Sequence, residues 1–227
     1  MANFFDRTEL LLKKENIDKL TNSSVLVVGV GGVGGYVAEF LIRAGVGKIT
    51  LVDHDVVETT NINRQLVAMH STVGQAKVLL LTSRIRDINP SAEIFSKFIR
   101  FNEENKDLVF DKHYDYVVDA IDSVEDKVHL ICESRQREIK IISSMGAGNR
   151  IDTPHYEISD IYSTTNDGLA KVMRKKLREK SIDKLTCVYT KSRAINSGSL
   201  VGSISYHPAT CAAVLSSEVI KGLINND

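Results

Sequence analysis

The stretch Val25-Leu26-Val27-Val28-Gly29-Val30-Gly31-Gly32-Val33-Gly34-Gly35 constrains the fold of this chain more than any other. A short β-branched run reads as a strand covered on both faces. Glycines directly after a strand allow a tight turn into a helix and bring backbone N–H groups close to a ligand. Val33, Val37, Phe40, Leu41 and Ala44 then mark one helix face, which ends at Gly45 or Gly47. Ile49-Thr50-Leu51-Val52 reads as a second strand with Asp53 at its carboxyl end. Together these segments make a βαβ unit of about thirty residues.

The alternation continues along the chain. Helices are expected over 73–88, 103–110 and 124–137, and strands over 92–98, 114–121 and 139–144. Asp6-Arg7-Thr8-Glu9 has the form of a capping box opening an N-terminal helix with Leu10, Leu11, Ile17 and Leu20. Beyond Gly146, residues 149–160 read as loose, 167–180 as a highly charged helix and 186–190 as a strand. A terminal helix is expected over 208–224, with Pro208 in its first turn. The expected fold is α/β: a doubly wound, mostly parallel Rossmann-like sheet with helices on both faces and a C-terminal substrate-side extension. No linker or repeat divides it, so 1–227 is read as one domain, with a nucleotide-binding half (1–150) and a substrate-side half (151–227).

Charge is balanced, with 29 Lys+Arg against 29 Asp+Glu, so net charge neither demands nor forbids a nucleic-acid partner. The 3 cysteines form no CxxC pair, which excludes a disulfide framework and gives no sign of a structural zinc site. No secretory signal and no apolar run of about twenty residues is visible. A cytoplasmic protein with no membrane partner is the expectation.

The glycine loop alone announces a nucleotide and does not choose between ATP and NAD; Asp53, suited to a ribose hydroxyl, does not choose either. Asn61, Arg64 and Lys77 do. Arg64 follows the second strand by a short polar segment, and Lys77 lies one turn into the next expected helix, so both belong near the crevice at the strand carboxyl ends. Attack of a carboxylate on the α-phosphorus of ATP builds charge on nonbridging oxygens and on departing pyrophosphate. Fixed cations and a metal stabilise that charge. Asp122, at another strand end, is a reasonable magnesium ligand.

At these residues the chain resembles the ubiquitin-activating-enzyme-like superfamily of ThiF, MoeB and HesA. The shared pattern is the loop Gly29 to Gly34, Asp53, Asn61 to Arg64, Gly74 to Lys77, and Asp122-Ser123. The resemblance implies ATP and Mg2+ as cofactors. It implies a nucleotide-binding set of Gly29, Gly31, Gly32, Gly34, Asp53, Asp55, Asn61, Arg64, Lys77 and Asp122. Arg64, Lys77 and Arg7 are the implied catalytic groups and Asp122 the metal ligand, with Arg7 reaching the partner subunit's nucleotide in a homodimer. Within the superfamily, Arg7 to Leu11, Asp119 to Ser123, Gly146 to Gly148, Leu169 to Arg174 and Gly202 to Ser205 look like segments of the tRNA threonylcarbamoyladenosine dehydratase family. That likeness implies a tRNA substrate whose carboxylate is activated by ATP and captured intramolecularly with loss of water. It leaves open whether a sulfur-transfer partner protein assists. The chain departs from the family pattern at Asp167-Gly168, at Thr190 to Arg193, where an acidic residue is usual, and at His207-Pro208 with Cys211.

Other features stay divided. Lys171, Arg174, Lys175 and Arg178 form a stripe on one helix face, suited by itself either to tRNA phosphates or to solvent; the resemblance implies tRNA contact. Cys187 reads as a strand residue of the core more readily than as a nucleophile, and Cys132 and Cys211 read as core. His207 suits a turn or the edge of the site. An adenylyltransferase that activates the C-terminal glycine of a ubiquitin-like sulfur carrier is the alternative function; the missing CxxC pairs count against it. A nicotinamide-dependent oxidoreductase would leave Arg64 and Lys77 without purpose.

Overall fold

A computed structural model of the chain describes residues 4–195 and 200–225. Seven strands form one sheet in the order β3-β2-β1-β4-β5-β7-β6. They are β1 (Ser24–Val28), β2 (Lys48–Asp53), β3 (Glu93–Phe98), β4 (Tyr116–Asp119), β5 (Lys140–Ser144), β6 (Glu157–Asp160) and β7 (Thr186–Tyr189). All pairings are parallel except that of β6 with β7. Helices α1 (Asp6–Asn22), α2 (Gly34–Ala44), α3 (Lys77–Ile88), α4 (Lys106–Val109), α5 (Val124–Gln136), α6 (Gly168–Glu179) and α7 (Tyr206–Ile224) cover the two faces.

Period-two alternation distributes the strand side chains between two cores. Val25, Val27, Ile49, Leu51, Val118, Ile142 and Val188 join one core with α2, α3 and α7. Leu26, Val28, Val52, Val117, Ile141 and Cys187 join the other with α5 and α6. Both faces of β1 are therefore sealed, and each of its valines contributes about 1.5–3 kcal/mol by leaving water. The strand order reverses between β1 and β4, and a ligand crevice opens at such a switch point beyond the strand carboxyl ends.

Several expected boundaries move, each for a local reason. The capping box at Asp6 does not form: the helix is capped at Phe5 without a side-chain bond, and Asp6 is its first residue. The helix also breaks at Lys13, whose φ is 65. The helix expected from residue 73 begins at Lys77, because Gly74 sits at φ 85 and Ala76 bridges to Val56 in an extended conformation. Residues 103–110 supply only one turn of helix, over Lys106–Val109. The terminal helix starts earlier, at Tyr206. Within 149–160, read as loose, lies strand β6, which pairs antiparallel at the sheet edge. Its Glu157 pairs with Lys191 at 2.8 Å.

Candidate active site

The glycine loop joins β1 to α2 and faces the β4–α5 loop across the switch point. Gly29 has φ 85, and a Cβ there would lie 2.6 Å from the Ala120 carbonyl oxygen. Gly34 is packed so closely on the Gly29 carbonyl that any Cβ would overlap it. It shapes the turn, and it does not line the cleft as Gly29, Gly31 and Gly32 do. The first turn of α2 has no side-chain cap; its Gly35 N–H donates to the Gly31 carbonyl at 3.2 Å, and the helix dipole favours an anion at this end.

A cleft of about 830 Å³ opens here, lined by the loop together with Asp53, Asp55, Asn61, Arg64, Lys77 and Asp122. A second depression of about 1030 Å³ lies at the other end of the sheet, against Ser23, Asp115 and Lys140. Those residues precede or begin strands, so no strand carboxyl end and no glycine loop serves it, and the smaller cleft is the candidate site.

Asp53 accepts from the Val30 N–H at 2.7 Å and the Asp55 N–H at 2.8 Å. Its carboxylate thus ties the glycine loop to the end of β2, and each oxygen keeps a lone pair for a ribose hydroxyl. Asp55 pairs with the Lys77 ammonium at 2.8 Å, and the Lys77 side chain is only 5% exposed. The Lys77 backbone N–H also donates to the Asp55 carbonyl, at 3.1 Å. Lys77 is therefore the first residue of α3, held in the cleft wall with its charge balanced before any nucleotide enters. Asn61 accepts from the Glu58 N–H at 3.1 Å and so fixes the turn that carries Arg64. Arg64 bonds the Thr60 carbonyl at 3.0 Å and passes over Gly32, whose Cβ position is 3.6 Å from the arginine Cγ.

Asp122 is exposed in the loop after β4 and lines the cleft. One carboxylate beside phosphate and water oxygens suits magnesium, which keeps much of its hydration. Asp53, His54 and Asp55 also cluster within reach of one ion, with Asp55 already paired to Lys77. Beneath Asp122, Lys127 and Asp119 have no exposed surface and pair at 3.0 Å. Lys127 also bonds the Ile121 carbonyl at 3.0 Å, and Ser143 donates to Asp119 at 2.5 Å. This network fixes the loop that presents Asp122.

The structure also brings in residues that sequence reasoning passed over: Gln65, Arg100, Phe101, Val201, Ser203 and Pro208. Position beyond a strand was a usable signal for Arg100 and Phe101, which follow β3. Val201 and Pro208 come from the far end of the chain, and only tertiary folding places them there. Arg7 is exposed and lies outside the cleft of its own chain.

Other expected residues fall elsewhere. His207 does not line the cleft and is not in a turn. It is buried in α7 between the Tyr156 hydroxyl and the Asp152 carbonyl, and burial pushes its pKa down. Burial pushes the Cys187 and Cys211 thiols up to about 12, which suits core residues and not nucleophiles. Cys132 is half-buried against the core that holds Cys187. The basic stripe of α6 is broken: Arg174 turns inward to the Thr164 hydroxyl and carbonyl, and Arg178 lies 5.1 Å from the Tyr162 ring. Lys176 pairs with Glu125 at 2.7 Å. Lys171 and Lys175 remain exposed, with no ion-pair partner among the described residues.

Residues 5–227 match the profile of the ThiF family. The tRNA threonylcarbamoyladenosine dehydratase of Bacillus subtilis is 50% identical over 184 residues, 81% of this chain and 72% of that protein. The crystal structure of the E. coli tRNA N6-threonylcarbamoyladenosine dehydratase in complex with ATP superposes with a TM-score of 0.92 at 33% identity. The superposition covers 98% of this chain and 94% of that one. The yeast adenylyltransferase and sulfurtransferase UBA4 is 37% identical over only 57% of this chain and 29% of its own length. A glycine-loop cleft of this geometry, on a fold shared over nearly the whole length, leads to one conclusion: the chain belongs to the ThiF family, alongside its tRNA threonylcarbamoyladenosine dehydratases.

Proposed function

We propose that the chain is an ATP-dependent dehydratase that cyclises threonylcarbamoyl-adenosine in tRNA. The observation that carries this reading is the convergence of the uncapped α2 N-terminus, Arg64, Lys77 and Asp122 on one cleft. The substrate carboxylate attacks the α-phosphorus, the bond to the β-phosphate breaks, and pyrophosphate leaves. A nucleophile of the carbamoyl group then closes the ring on the activated carbonyl and expels AMP. The substrate loses one water, whose oxygen leaves with AMP. Proximity supplies most of this second step, so the protein needs no nucleophile of its own. Arg64 and Lys77 steady the charge of the first step, with Asp55 releasing Lys77 to the phosphates. Asp122 would hold Mg2+, which would neutralise phosphate charge.

The active form in this reading is a homodimer in which Arg7 completes the partner's site. Its support is the exposure of Leu10 and Leu11, 84% and 85%, on the same helix as Arg7. Isolated apolar surface of that kind is covered when a second copy docks. Lys171 and Lys175 are the part of the basic face left for tRNA phosphates. Among the described residues no helix is long and apolar enough to cross a membrane, and the proposed location is the cytoplasm, with tRNA.

The test is incubation with ATP, Mg2+ and bulk tRNA. AMP and pyrophosphate should appear in step with a loss of about eighteen daltons, one water, from the threonylcarbamoyl nucleoside. AMP release that depends on a sulfur-carrier protein and leaves the nucleoside unchanged would favour the alternative adenylyltransferase. Mixing Arg7→Ala subunits with Lys77→Ala subunits should restore part of the activity lost in each; no restoration would overturn the shared site.

A further inference from the structure

The cleft has two ends of different chemistry. Gly31, Gly32, Asn61, Arg64 and Lys77, with Asp53, Asp55 and Glu58, make one end polar and charged. At the other, Val28, Val52, Ile99, Phe101, Ala120 and Ile121 line an apolar slot at the carboxyl ends of β1 to β4. Arg100 stands on the rim of that slot, 55% exposed, its Nε bonded to Asp126 at 2.9 Å.

Arg100 is poorly placed for a phosphate. It follows β3, two strands from the strand that feeds the glycine loop, so about 10 Å separates them across the sheet. Its electrostatic neighbours are Asp126 and Asp122, whose carboxylates repel an anion. A flat uncharged ring between an apolar wall and a guanidinium plane meets no such penalty, and arginine stacks on aromatic faces as lysine does not. Asp126 is itself largely buried, so it anchors the guanidinium at one nitrogen and lowers the ordering cost of a contact.

We propose that Arg100, tethered by Asp126, closes over the base of the bound nucleotide and sets affinity for the adenosine end of ATP. This deepens the ATP-dependent reading and rests on it. The contact exists alike in the ground and transition states, so its loss raises the KM for ATP and leaves kcat unchanged.

Calorimetric titration of wild type, Arg100→Ala and Arg100→Lys with ATP, AMP and pyrophosphate tests the assignment. Both variants should bind ATP and AMP roughly tenfold more weakly than wild type, with pyrophosphate affinity unchanged. Wild-type affinity for AMP in Arg100→Ala would overturn the proposal. So would full rescue by Arg100→Lys, or an equal loss for pyrophosphate, since either makes Arg100 a simple counter-charge. A wild-type protein that binds neither ATP nor AMP would instead remove the nucleotide reading itself.

Discussion

Replacing Lys127 by Met isolates the buried ion pair beneath the β4–α5 loop. Met has nearly the shape of Lys and packs in an apolar setting, so cavity formation adds little. What is lost is electrostatic: Asp119 loses its only cation among the described residues, at 3.0 Å, and the Ile121 carbonyl loses its donor. Breaking a buried pair from one side costs about 3–5 kcal/mol. Asp119 keeps the Ser143 hydroxyl at 2.5 Å and the Ile121 N–H at 3.2 Å, which places the expected loss near the lower end, about 3 kcal/mol. That is a large share of a total stability of about 5–15 kcal/mol. Urea unfolding measures it as a lower midpoint at unchanged slope. Adding Asp119→Asn to Lys127→Met should recover much of the loss, because no buried charge is then stranded. A single variant within about 0.5 kcal/mol of wild type, or a double variant no better than the single, would refute the argument.

Gly34→Ala should fail to fold or lose at least about 3 kcal/mol, since the added Cβ overlaps the Gly29 carbonyl; a near-native melting curve would mean the loop relaxes at no cost. Asp55→Asn leaves Lys77 largely buried without its counter-ion, so the free protein should lose about 1–2 kcal/mol while ATP raises its melting temperature by more than in wild type. An unchanged or smaller ATP-induced rise would show that Asp55 does not compete with phosphate for Lys77. Cys187 and Cys211 titrate near 12, above the ordinary 9.0 of an unfolded thiol, so their burial contributes fully below about pH 9 and is lost progressively as pH rises from there towards 12. Native protein at pH 8 should therefore resist alkylation at both positions, and the rate should follow global unfolding; rapid modification of Cys187 by iodoacetamide without unfolding would reopen its case as a nucleophile.

The sequence by itself determined the βαβ unit, because a buried β-branched strand followed by glycines at fixed offsets leaves few alternatives to a strand–turn–helix. It also marked Asp53, Asn61, Arg64, Lys77 and Asp122 as neighbours, since all follow strand ends in an alternating chain and such ends converge on one crevice. Contacts between distant segments were not legible. Strand β6 is held by its pairing with β7 more than by its own pattern, and its polar Glu157 and Asp160 resemble a loop. The pairing of Asp55 with Lys77, the inward turn of Arg174 and the burial of His207 depend on which surfaces fold against one another. A side chain's type sets what it is able to do; its charge partner and its exposure arise only when the packed sheet removes water from one side of it and not the other.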